Sequence, residues 1–296
     1  MIINGKEIAQ QIQQELKDKT SDLINQSGVK PGLALLLVGD NSASQVYVRS
    51  KAKACEKIGF HSLILTLPED TKEEEVLSII NTWNNDDSIH GILVQLPLPK
   101  HISEVNVIMA INPDKDVDGF HPINVGKLVT GIGGFVPCTP AGIVELLVRS
   151  SIQTSGKHVV VVGRSNIVGK PIANLLYQKS SHGNAVVTIC HTGASDIRYY
   201  TKQADILIAA IGVPHRIAAD DIKHGAVIID VGINRVSNSQ SEKGYAIVGD
   251  VDYDSVFPYV SAITPVPGGV GPMTIAMLLS NTFTSAQNFA KKNVLK

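Results

Sequence analysis

The chain has 296 residues, of which 26 are basic and 27 acidic, so its formal net charge at pH 7 is only -1. This near balance excludes the global field that draws strongly charged proteins to nucleic acids or membrane surfaces. Hydrophobic residues make up 44% of the chain, which is enough to bury the cores of one large or two ordinary domains.

Cysteine, histidine and apolar patterns narrow the class further. Cys55, Cys138 and Cys190 are too few and too scattered for a disulfide framework, and no pattern of His and Cys predicts a metal site. No stretch reaches the roughly 18 apolar residues of a membrane span, and the N-terminus lacks the apolar core of a signal peptide. We therefore expect a cytoplasmic protein.

Strand-like and helix-like segments alternate in the first half, which is typical of α/β layers around parallel sheets. Apolar residues at helical spacing between positions 8 and 24 predict an amphipathic first helix. The unbroken apolar run 33–38 predicts a buried parallel strand, followed by a helix that Ser42 caps and that extends to about position 58. The next predicted elements are a strand at 61–67, a helix at 72–84 and a strand at 91–96.

The segment 112–140 combines prolines and glycines with weak periodicity, so we predict a long irregular stretch and a domain boundary there. From position 157 the alternation restarts and predicts a second doubly wound unit. Its predicted elements are strands at 159–162, 185–190, 204–210 and 226–231, a helix at 168–179, and a closing helix from 273 to about 292.

The turn after the valine strand 159–162 is a candidate dinucleotide site. It begins at Gly163, continues through Arg164 and Ser165, and reaches Gly169 as a helix starts. Glycines let backbone N–H groups approach a phosphate, and a helix N-terminus favours negative charge. The spacing matches neither G-x-G-x-x-G nor a Walker loop, so an ordinary strand–helix turn remains an equal alternative.

The end of the next strand bears on the choice of dinucleotide. NAD sites usually place a carboxylate there for the ribose hydroxyls, but this strand ends in His191 and Thr192 after a cysteine. The missing acid, together with Arg164 in the preceding turn, favours the 2'-phosphate of NADP. An ordinary surface arginine is the alternative interpretation.

Tyr47 and Lys51 are four residues apart on one predicted helix and therefore share a face. On that evidence alone, a tyrosine packed over a lysine stem is the simpler interpretation. A Tyr-x-x-x-Lys pair also serves short-chain dehydrogenases, but there it follows the dinucleotide loop, whereas here it lies far ahead of Gly163. The order of motifs therefore counts against that class.

Six motifs occurring together in order resemble the bifunctional methylenetetrahydrofolate dehydrogenase/methenyltetrahydrofolate cyclohydrolase family. They are YVRSK at 47–51, GILVQLPLP at 91–99, DKDVDGF at 114–120, PCTP at 137–140, GRS at 163–165 and PVPGGVGP at 265–272. The resemblance implies two α/β domains: a folate-binding catalytic domain over 1–140, joined by the C-terminal helix 273–296, and a Rossmann-like NADP domain with a parallel sheet over 141–272. It also implies a homodimer.

The activity implied by the resemblance is NADP-dependent oxidation of 5,10-methylenetetrahydrofolate to the methenyl form, followed by hydrolysis to 10-formyltetrahydrofolate. Lys51 matches the family's catalytic lysine. The role implied by that match is chemically reasonable, because burial and a cationic substrate both favour the neutral amine that takes a proton from water. Gln95 matches the polar partner of that lysine. Tyr47 offers its ring to the folate, and Asp118 can accept hydrogen bonds from the pterin. A local turn at Asp118 is the alternative.

The resemblance adds further contacts on both substrates. The stretch 265–272 would form a stiff wall beside the folate, with a plain interdomain turn as the alternative. Thr192 stands where serine is common in the family, and His121 is predicted to lie on the surface. The implied folate contacts are Tyr47, Val94, Leu96, Asp118, Pro265, Gly268 and Gly269, and the implied cofactor contacts are Gly163, Arg164, Ser165, Val168, Gly169, His191, Thr192, Ile233 and Thr274.

Two other functions remain open from sequence, a dehydrogenase without hydrolase activity and a non-catalytic folate- or NADP-binding module. A dehydrogenase without hydrolase activity would lack Lys51. A non-catalytic binding module is expected to have lost Lys51, Gln95 or Asp118. Lys51, Gln95 and Asp118 are all present, which favours the bifunctional enzyme.

Overall fold

The computed structural model of the protein describes residues 1–239, 241 and 244–294. They form two compact units, the first from Gln10–Cys138 and the chain from Ile275 onward, the second from Met1–Ala9 and Thr139–Thr274. Each unit contains a parallel sheet, so the predicted class of two α/β domains is confirmed. In the described residues, no helix has the length and apolar character needed to cross a bilayer.

The first unit is built on a three-stranded sheet in which β1 (Gly32–Val38) lies between β2 (His61–Leu67) and β3 (Gly91–Val94). Every residue of β1 is buried, as its unbroken apolar sequence predicts. Strand β3 ends at Val94 rather than at position 96, so Gln95 stands at the carboxyl end of the sheet. The helices of this part of the chain are α1 (Gly5–Ser27), α2 (Ser42–Lys57), α3 (Glu73–Asn84), α4 (Glu104–Ala110), α5 (Pro122–Thr130) and α6 (Cys138–Arg149).

The prediction of an irregular stretch over 112–140 is wrong in part, because α5 lies inside it. Pro122 occupies the first turn of α5, where a missing N–H is tolerated, and Gly131 ends the helix with a φ of 72°. His121 is only 4% exposed, and its Nδ1 accepts a hydrogen bond from the Ile123 N–H at 3.1 Å. The prediction that His121 lies on the surface is therefore wrong, since its side chain caps α5.

The cap of α2 also differs from the prediction. Asn41, rather than Ser42, is the N-cap residue, and its Oδ1 accepts a hydrogen bond from the Ser44 N–H at 3.1 Å. Both residue types satisfy free N–H groups at a helix start, so the sequence leaves the choice between adjacent candidates open.

The second unit has a five-stranded parallel sheet of the doubly wound type. The chain passes from β4 to its neighbour on one side, β5, and then returns to the other side of β4 with β6. Ligands in such sheets bind outside the carboxyl ends of the strands where the order reverses, which here is the end of β4. From one edge the strands are β10 (Ala262–Ile263), β7 (Val227–Asp230), β6 (Ile206–Ala209), β4 (His158–Val162) and β5 (Val186–Cys190).

Outside this sheet, β8 (Asn234–Ser237) and β9 (Tyr245–Val248) form an antiparallel hairpin that the sequence pattern does not predict. At the N-terminus, the Ile3 N–H donates to the Ile263 carbonyl at 2.8 Å, which ties the first residues to β10. The remaining helices are α7 (Gly169–Tyr177), α8 (Arg198–Thr201), α9 (Tyr253–Val256) and α10 (Val270–Val294), the last of which begins before its predicted start at 273.

Candidate active site

Lys51 and Gln95 meet although they belong to different elements. Lys51 lies on α2 and is half-buried, and its Nζ donates a hydrogen bond to Gln95 Oε1 at 3.0 Å. The Gln95 N–H continues the sheet by donating to the Leu36 carbonyl at 2.8 Å. The Gln95 Nε2 donates to the Leu96 carbonyl at 2.8 Å, which leaves its amide oxygen facing the lysine. The amine is thus held by a side chain that is itself fixed at both ends.

Tyr47 lies one helical turn before Lys51 on α2. Its side chain is 45% exposed, so one surface of the ring is open to a ligand. Residues four apart on a helix are neighbours, which places the open ring next to the held amine. The ring's contact with folate stays a prediction.

Asp118 belongs to the segment that follows α4. Its carboxylate is half-buried, and Cys138 Sγ lies 3.7 Å from its Oδ1. Burial raises the pKa of Asp118, and the nearby Lys51 charge opposes that rise. Lys51 therefore acts on both groups proposed to share a site with it, the amide of Gln95 by hydrogen bonding and the carboxylate of Asp118 by charge.

The turn around Asp118 is formed by a different carboxylate. Asp116 is buried and accepts hydrogen bonds from the Phe120 N–H, the His121 N–H and Asn124 Nδ2 at 3.2, 2.8 and 2.8 Å. Burial outweighs these donors and raises the pKa of Asp116 to about 6. Within the described part of the chain, no backbone N–H donates to the Asp118 carboxylate, so the alternative of a turn-forming role for Asp118 has no support in the hydrogen bonds.

A glycine lets Asp118 approach a neighbouring segment. Gly119 has a φ of 74°, and a Cβ there would lie 2.7 Å from the Pro137 nitrogen. Val94, Leu96 and Asp118 also line one small cavity of about 20 Å³. Three of the predicted folate contacts are therefore neighbours in the first unit.

The predicted contacts Pro265, Gly268 and Gly269 lie in the second unit. Gly268 has a φ of 109°, and a Cβ on Gly269 would lie 2.6 Å from the Pro265 carbonyl oxygen. The Gly268 carbonyl accepts a hydrogen bond from the Lys6 N–H at 2.9 Å. Backbone packing inside this unit thus accounts for both glycines, and their contact with folate remains a prediction.

A cavity of about 500 Å³ opens at the carboxyl end of β4, at the reversal point of the sheet. Five of the nine predicted cofactor contacts line this cavity, and they stand at the ends of β4 and β5. The other four, Val168, Gly169, Ile233 and Thr274, do not line it. Ile233 is exposed, and Thr274 Oγ1 donates to the Gly271 carbonyl at 2.8 Å. The predicted residues along the cavity are Gly163, Arg164, Ser165, His191 and Thr192.

The backbone of the cofactor turn requires its glycines. A Cβ on Gly163 would lie 2.2 Å from the Ala210 carbonyl oxygen, and one on Gly169 would lie 2.3 Å from the Gly163 carbonyl oxygen. Ser165 Oγ accepts hydrogen bonds from the Val168 and Gly169 N–H groups at 3.1 and 3.3 Å. The Ser165 hydroxyl therefore caps the first turn of α7. The side chains of Arg164, Arg216 and Thr192 line the cavity and are available to bind a phosphate.

Sequence reasoning missed two features of this cavity. Arg216, on the loop after β6, lines it with Arg164 and supplies a second cation. Asp250 is fully buried, and its Oδ2 accepts hydrogen bonds from the Ile211 and Gly212 N–H groups at 2.6 and 2.9 Å. The only available signal is the rule that carboxyl ends of parallel strands meet at one edge, which points to the loop after β6 without choosing a residue.

Two family models match the chain. The model described as "Tetrahydrofolate dehydrogenase/cyclohydrolase, catalytic domain" matches residues 3–118. The model described as "Tetrahydrofolate dehydrogenase/cyclohydrolase, NAD(P)-binding domain" matches residues 137–290.

Individual proteins show the same likeness over nearly the full length. The bifunctional protein FolD of Chlorobium chlorochromatii is 57% identical over 289 residues, which cover 97% of this chain and 98% of that protein. The crystal structure of the bifunctional enzyme FolD, a methylenetetrahydrofolate dehydrogenase/cyclohydrolase from Campylobacter jejuni, has a TM-score of 0.92 at 50% identity, covering 97% and 99% of the two chains. FolD of Trypanosoma brucei, solved with NADP and an inhibitor, has a TM-score of 0.91 at 38% identity, covering 97% of each chain.

Proposed function

This chain belongs to the tetrahydrofolate dehydrogenase/cyclohydrolase family, and on that premise we propose that Lys51, Gln95 and Asp118 carry its chemistry. The protein is an NADP-dependent methylenetetrahydrofolate dehydrogenase that also hydrolyses the methenyl product to 10-formyltetrahydrofolate. The observation that most supports the assignment of residues is the 3.0 Å hydrogen bond between Lys51 Nζ and Gln95 Oε1, beside a carboxylate under the influence of the Lys51 charge.

In the hydrolysis, a water molecule adds to the methenyl carbon and loses a proton. We assign the removal of that proton to the Lys51 amine, since a general base within hydrogen-bond reach of the attacking water lowers the barrier. Gln95 fixes the position of the amine through its side-chain oxygen.

In both reactions, the pterin must be held in one pose. We assign this anchoring to Asp118, whose carboxylate can accept two parallel hydrogen bonds from an amino group and a ring N–H. Tyr47 offers its open ring to the flat aromatic part of the folate. The non-polar neighbours Val94 and Leu96 line the same small cavity as Asp118 and would exclude water from the anchored ring.

We assign NADP to the cavity at the end of β4. Arg164 would contact the 2'-phosphate, and Ser165, His191 and Thr192 would contribute further polar contacts around it. When bound, the nicotinamide accepts a hydride. Glycines at 163 and 169 are compatible with this role, because a side chain at either position would collide with the backbone that shapes the cavity.

An absorbance assay with purified protein tests both activities and the cofactor preference. With 5,10-methylenetetrahydrofolate, we expect faster turnover with NADP than with NAD, because the cavity offers the cations Arg164 and Arg216 and the residues that end β5 carry no carboxylate. The carboxylate of Asp196, farther along the loop, also lines the cavity and accepts a hydrogen bond from the Arg198 N–H at 2.9 Å. Methenyltetrahydrofolate should decay faster with enzyme than without it. Equal rates with the two dinucleotides would refute the cofactor assignment, and unchanged methenyl decay would refute the hydrolase assignment.

Arg164→Ala is expected to weaken NADP binding by roughly tenfold to a hundredfold while NAD binding changes little. A guanidinium on a doubly charged phosphate typically contributes about 1.5–3 kcal/mol through charge-assisted hydrogen bonds. Titration calorimetry with each dinucleotide measures the difference. Lys170→Ala is the matched control, because it removes a cation close to the same turn. The Lys170 side chain bonds to Asn166 and does not line the cavity. Equal losses for NADP and NAD in Arg164→Ala would assign the arginine a general structural role.

We further assign folate binding and catalysis to residues 1–140 with the closing helix 273–296, and NADP binding to residues 141–272. The matches of the two family models, at 3–118 and 137–290, support a boundary between positions 118 and 137. The compact unit of Gln10–Cys138 with the chain from Ile275 onward supports joining the closing helix to the folate part, although the second model extends over most of that helix and Met1–Ala9 cluster with the second unit. The test is hydrogen exchange of the full chain in urea, measured once with folate and once with NADP. Each ligand should protect backbone amides of its own segment from hydrogen exchange.

A cytoplasmic homodimer is the assembly that we propose. The hairpin of β8 and β9 pairs with no other strand in the described chain, and an isolated two-stranded hairpin is marginally stable in water, so a second copy would stabilise it. All three cysteines are buried free thiols, in keeping with a reducing compartment. Sedimentation should give twice the chain mass, and a monomer at micromolar concentration would exclude the dimer.

A further inference from the structure

Helix α10 holds the segment that carries Asp118. Asn281 Nδ2 donates to the Val117 carbonyl at 2.8 Å, and Ser285 Oγ donates to the Asp114 carbonyl at 2.8 Å. Lys292 Nζ pairs with the Asp114 carboxylate at 2.8 Å, between exposed side chains. Positions four and seven apart share one helix face, so a single face of α10 contacts both ends of this short segment.

Of these three residues of α10, Asn281 bonds nearest to Asp118, and both hydrogens of its side-chain amide are used in hydrogen bonds. An amide nitrogen carries two hydrogens, and Asn281 Nδ2 bonds the Val117 carbonyl and the Val136 carbonyl, the latter at 3.0 Å. These carbonyls belong to two separate segments, one leading into Asp118 and the other into Cys138. One side chain therefore fixes the spacing between them.

Cys138 lies between the Asn281 amide and the Asp118 carboxylate. Its buried Sγ lies 3.4 Å from the Val117 carbonyl oxygen, 3.7 Å from Asp118 Oδ1 and 3.9 Å from Asn281 Nδ2. Burial, reinforced by the negative charge of Asp118, raises the pKa of Cys138 well above its ordinary value, so the group remains a thiol and an S–H donor. The thiol, the carboxylate and the amide form one network of contacts, in which the single S–H donates to one acceptor at a time and both Asn281 hydrogens bond carbonyls.

We propose that Asn281 is a positioning residue for the folate reactions, acting through Val117 and Cys138 on the Asp118 carboxylate. The inference rests on the proposed anchoring role of Asp118. Asn281 need not contact the substrate. Its function is to fix the backbone that leads into Asp118 against the segment that leads into Cys138, where a displacement of about 1 Å can cost on the order of a hundredfold in rate.

Asn281→Asp tests the proposal with almost no change in shape, because it replaces the two-hydrogen donor by an acceptor facing two carbonyl oxygens. We expect kcat/KM for both folate reactions to fall by about tenfold to a hundredfold, with NADP affinity unchanged. Repulsion from the carbonyls should raise the pKa of the introduced carboxyl, and its protonated form regains one donor. The activity relative to wild type should therefore recover as the pH is lowered, which a general packing defect would not produce.

Two further variants separate the outcomes. Ser285→Ala is the matched control on the same helix face and should leave both activities within about twofold, since its partner lies at the far end of the segment. Asn281→Ser keeps one donor and tests the proposal should Asn281→Asp fail to fold. Normal kinetics in a folded Asn281→Asp protein would overturn the proposal, as would a loss in Ser285→Ala as large as that in Asn281→Asp.

A double variant distinguishes failure of this inference from failure of the proposed function. If Asn281 acts through Asp118, adding Asn281→Asp to Asp118→Ala should cause no further loss of activity, because the two residues belong to one network. Additive losses would show that Asn281 acts elsewhere. Full activity of Asp118→Ala alone would refute the anchoring role itself, whatever Asn281→Asp does.

Discussion

Lys51→Met is expected to slow the hydrolysis by about 10²- to 10⁴-fold, the usual contribution of a positioned general base, while slowing the oxidation far less. Methionine retains most of the apolar bulk of the lysine stem and removes the amine. Water addition to the methenyl carbon requires that a proton be removed, whereas oxidation of the methylene carbon requires no proton acceptor from the protein. Methenyltetrahydrofolate should therefore accumulate during turnover, and its absorbance measures the separation directly.

The charge of Lys51 makes Lys51→Arg the necessary control. In Lys51→Met, the carboxyl of Asp118 loses the positive charge that opposes the effect of burial, so its pKa should rise further. The residual oxidation should then fail at a higher pH than in wild type. Lys51→Arg keeps the charge but supplies no base, so it should lose hydrolysis without that displacement of the pH profile.

The comparison of the two rates decides the role of Lys51. Parallel and equal losses in a variant with normal NADP binding would make Lys51 a binding residue rather than a base. Unchanged rates in both reactions would reduce Tyr47 and Lys51 to neighbours on a helix. A small loss of oxidation is compatible with the proposal, because the amine also lies close to the substrate-anchoring carboxylate.

Elements with a strong periodic pattern could be predicted from the sequence, and those defined by single residues could not. Strand β1 is buried on both sides, and its unbroken apolar sequence identifies it. Helix α5 has nine residues within a segment rich in proline and glycine, and its start depends on His121 acting as a cap. A histidine cap carries no general signal, since serine, threonine and aspartate are the usual residues at that position.

The candidate site shows the same division. Lys51, Gln95 and Asp118 stand in motifs that resemble one family, so their residue types and order single them out before any coordinates. The resemblance implies that Gln95 is the hydrogen-bonding partner of Lys51, but it does not give the geometry of the bond, which depends on the end of β3 meeting α2. Asn281 lies in none of the six motifs, and its partners are backbone carbonyls far away in the sequence. Such contacts leave no pattern of side chains to read.

Asp118→Ala is expected to slow both reactions by about 10³-fold or more, because both steps need the pterin anchored in one pose and positioning supplies several kcal/mol of the barrier. The carboxylate is suited to this role because the neighbouring turn is already formed by Asp116. Within the described residues, the protein partner of the Asp118 carboxylate is the weak donor Cys138, so its oxygens remain available to a ligand.

The kinetic signature of Asp118→Ala should separate anchoring from a structural role. Burial raises the pKa of the Asp118 carboxyl, so in wild type the folate KM should increase as the pH falls through this raised value, since the protonated acid is a poorer acceptor. That increase should disappear in Asp118→Ala. Asp114→Ala is the matched control, because it removes an exposed carboxylate of the same segment that pairs with Lys292, and both activities should stay close to wild type. Near-normal oxidation in a folded Asp118→Ala protein would show that the pterin is anchored by other residues, and the common site argued for the two reactions would then lose its central contact.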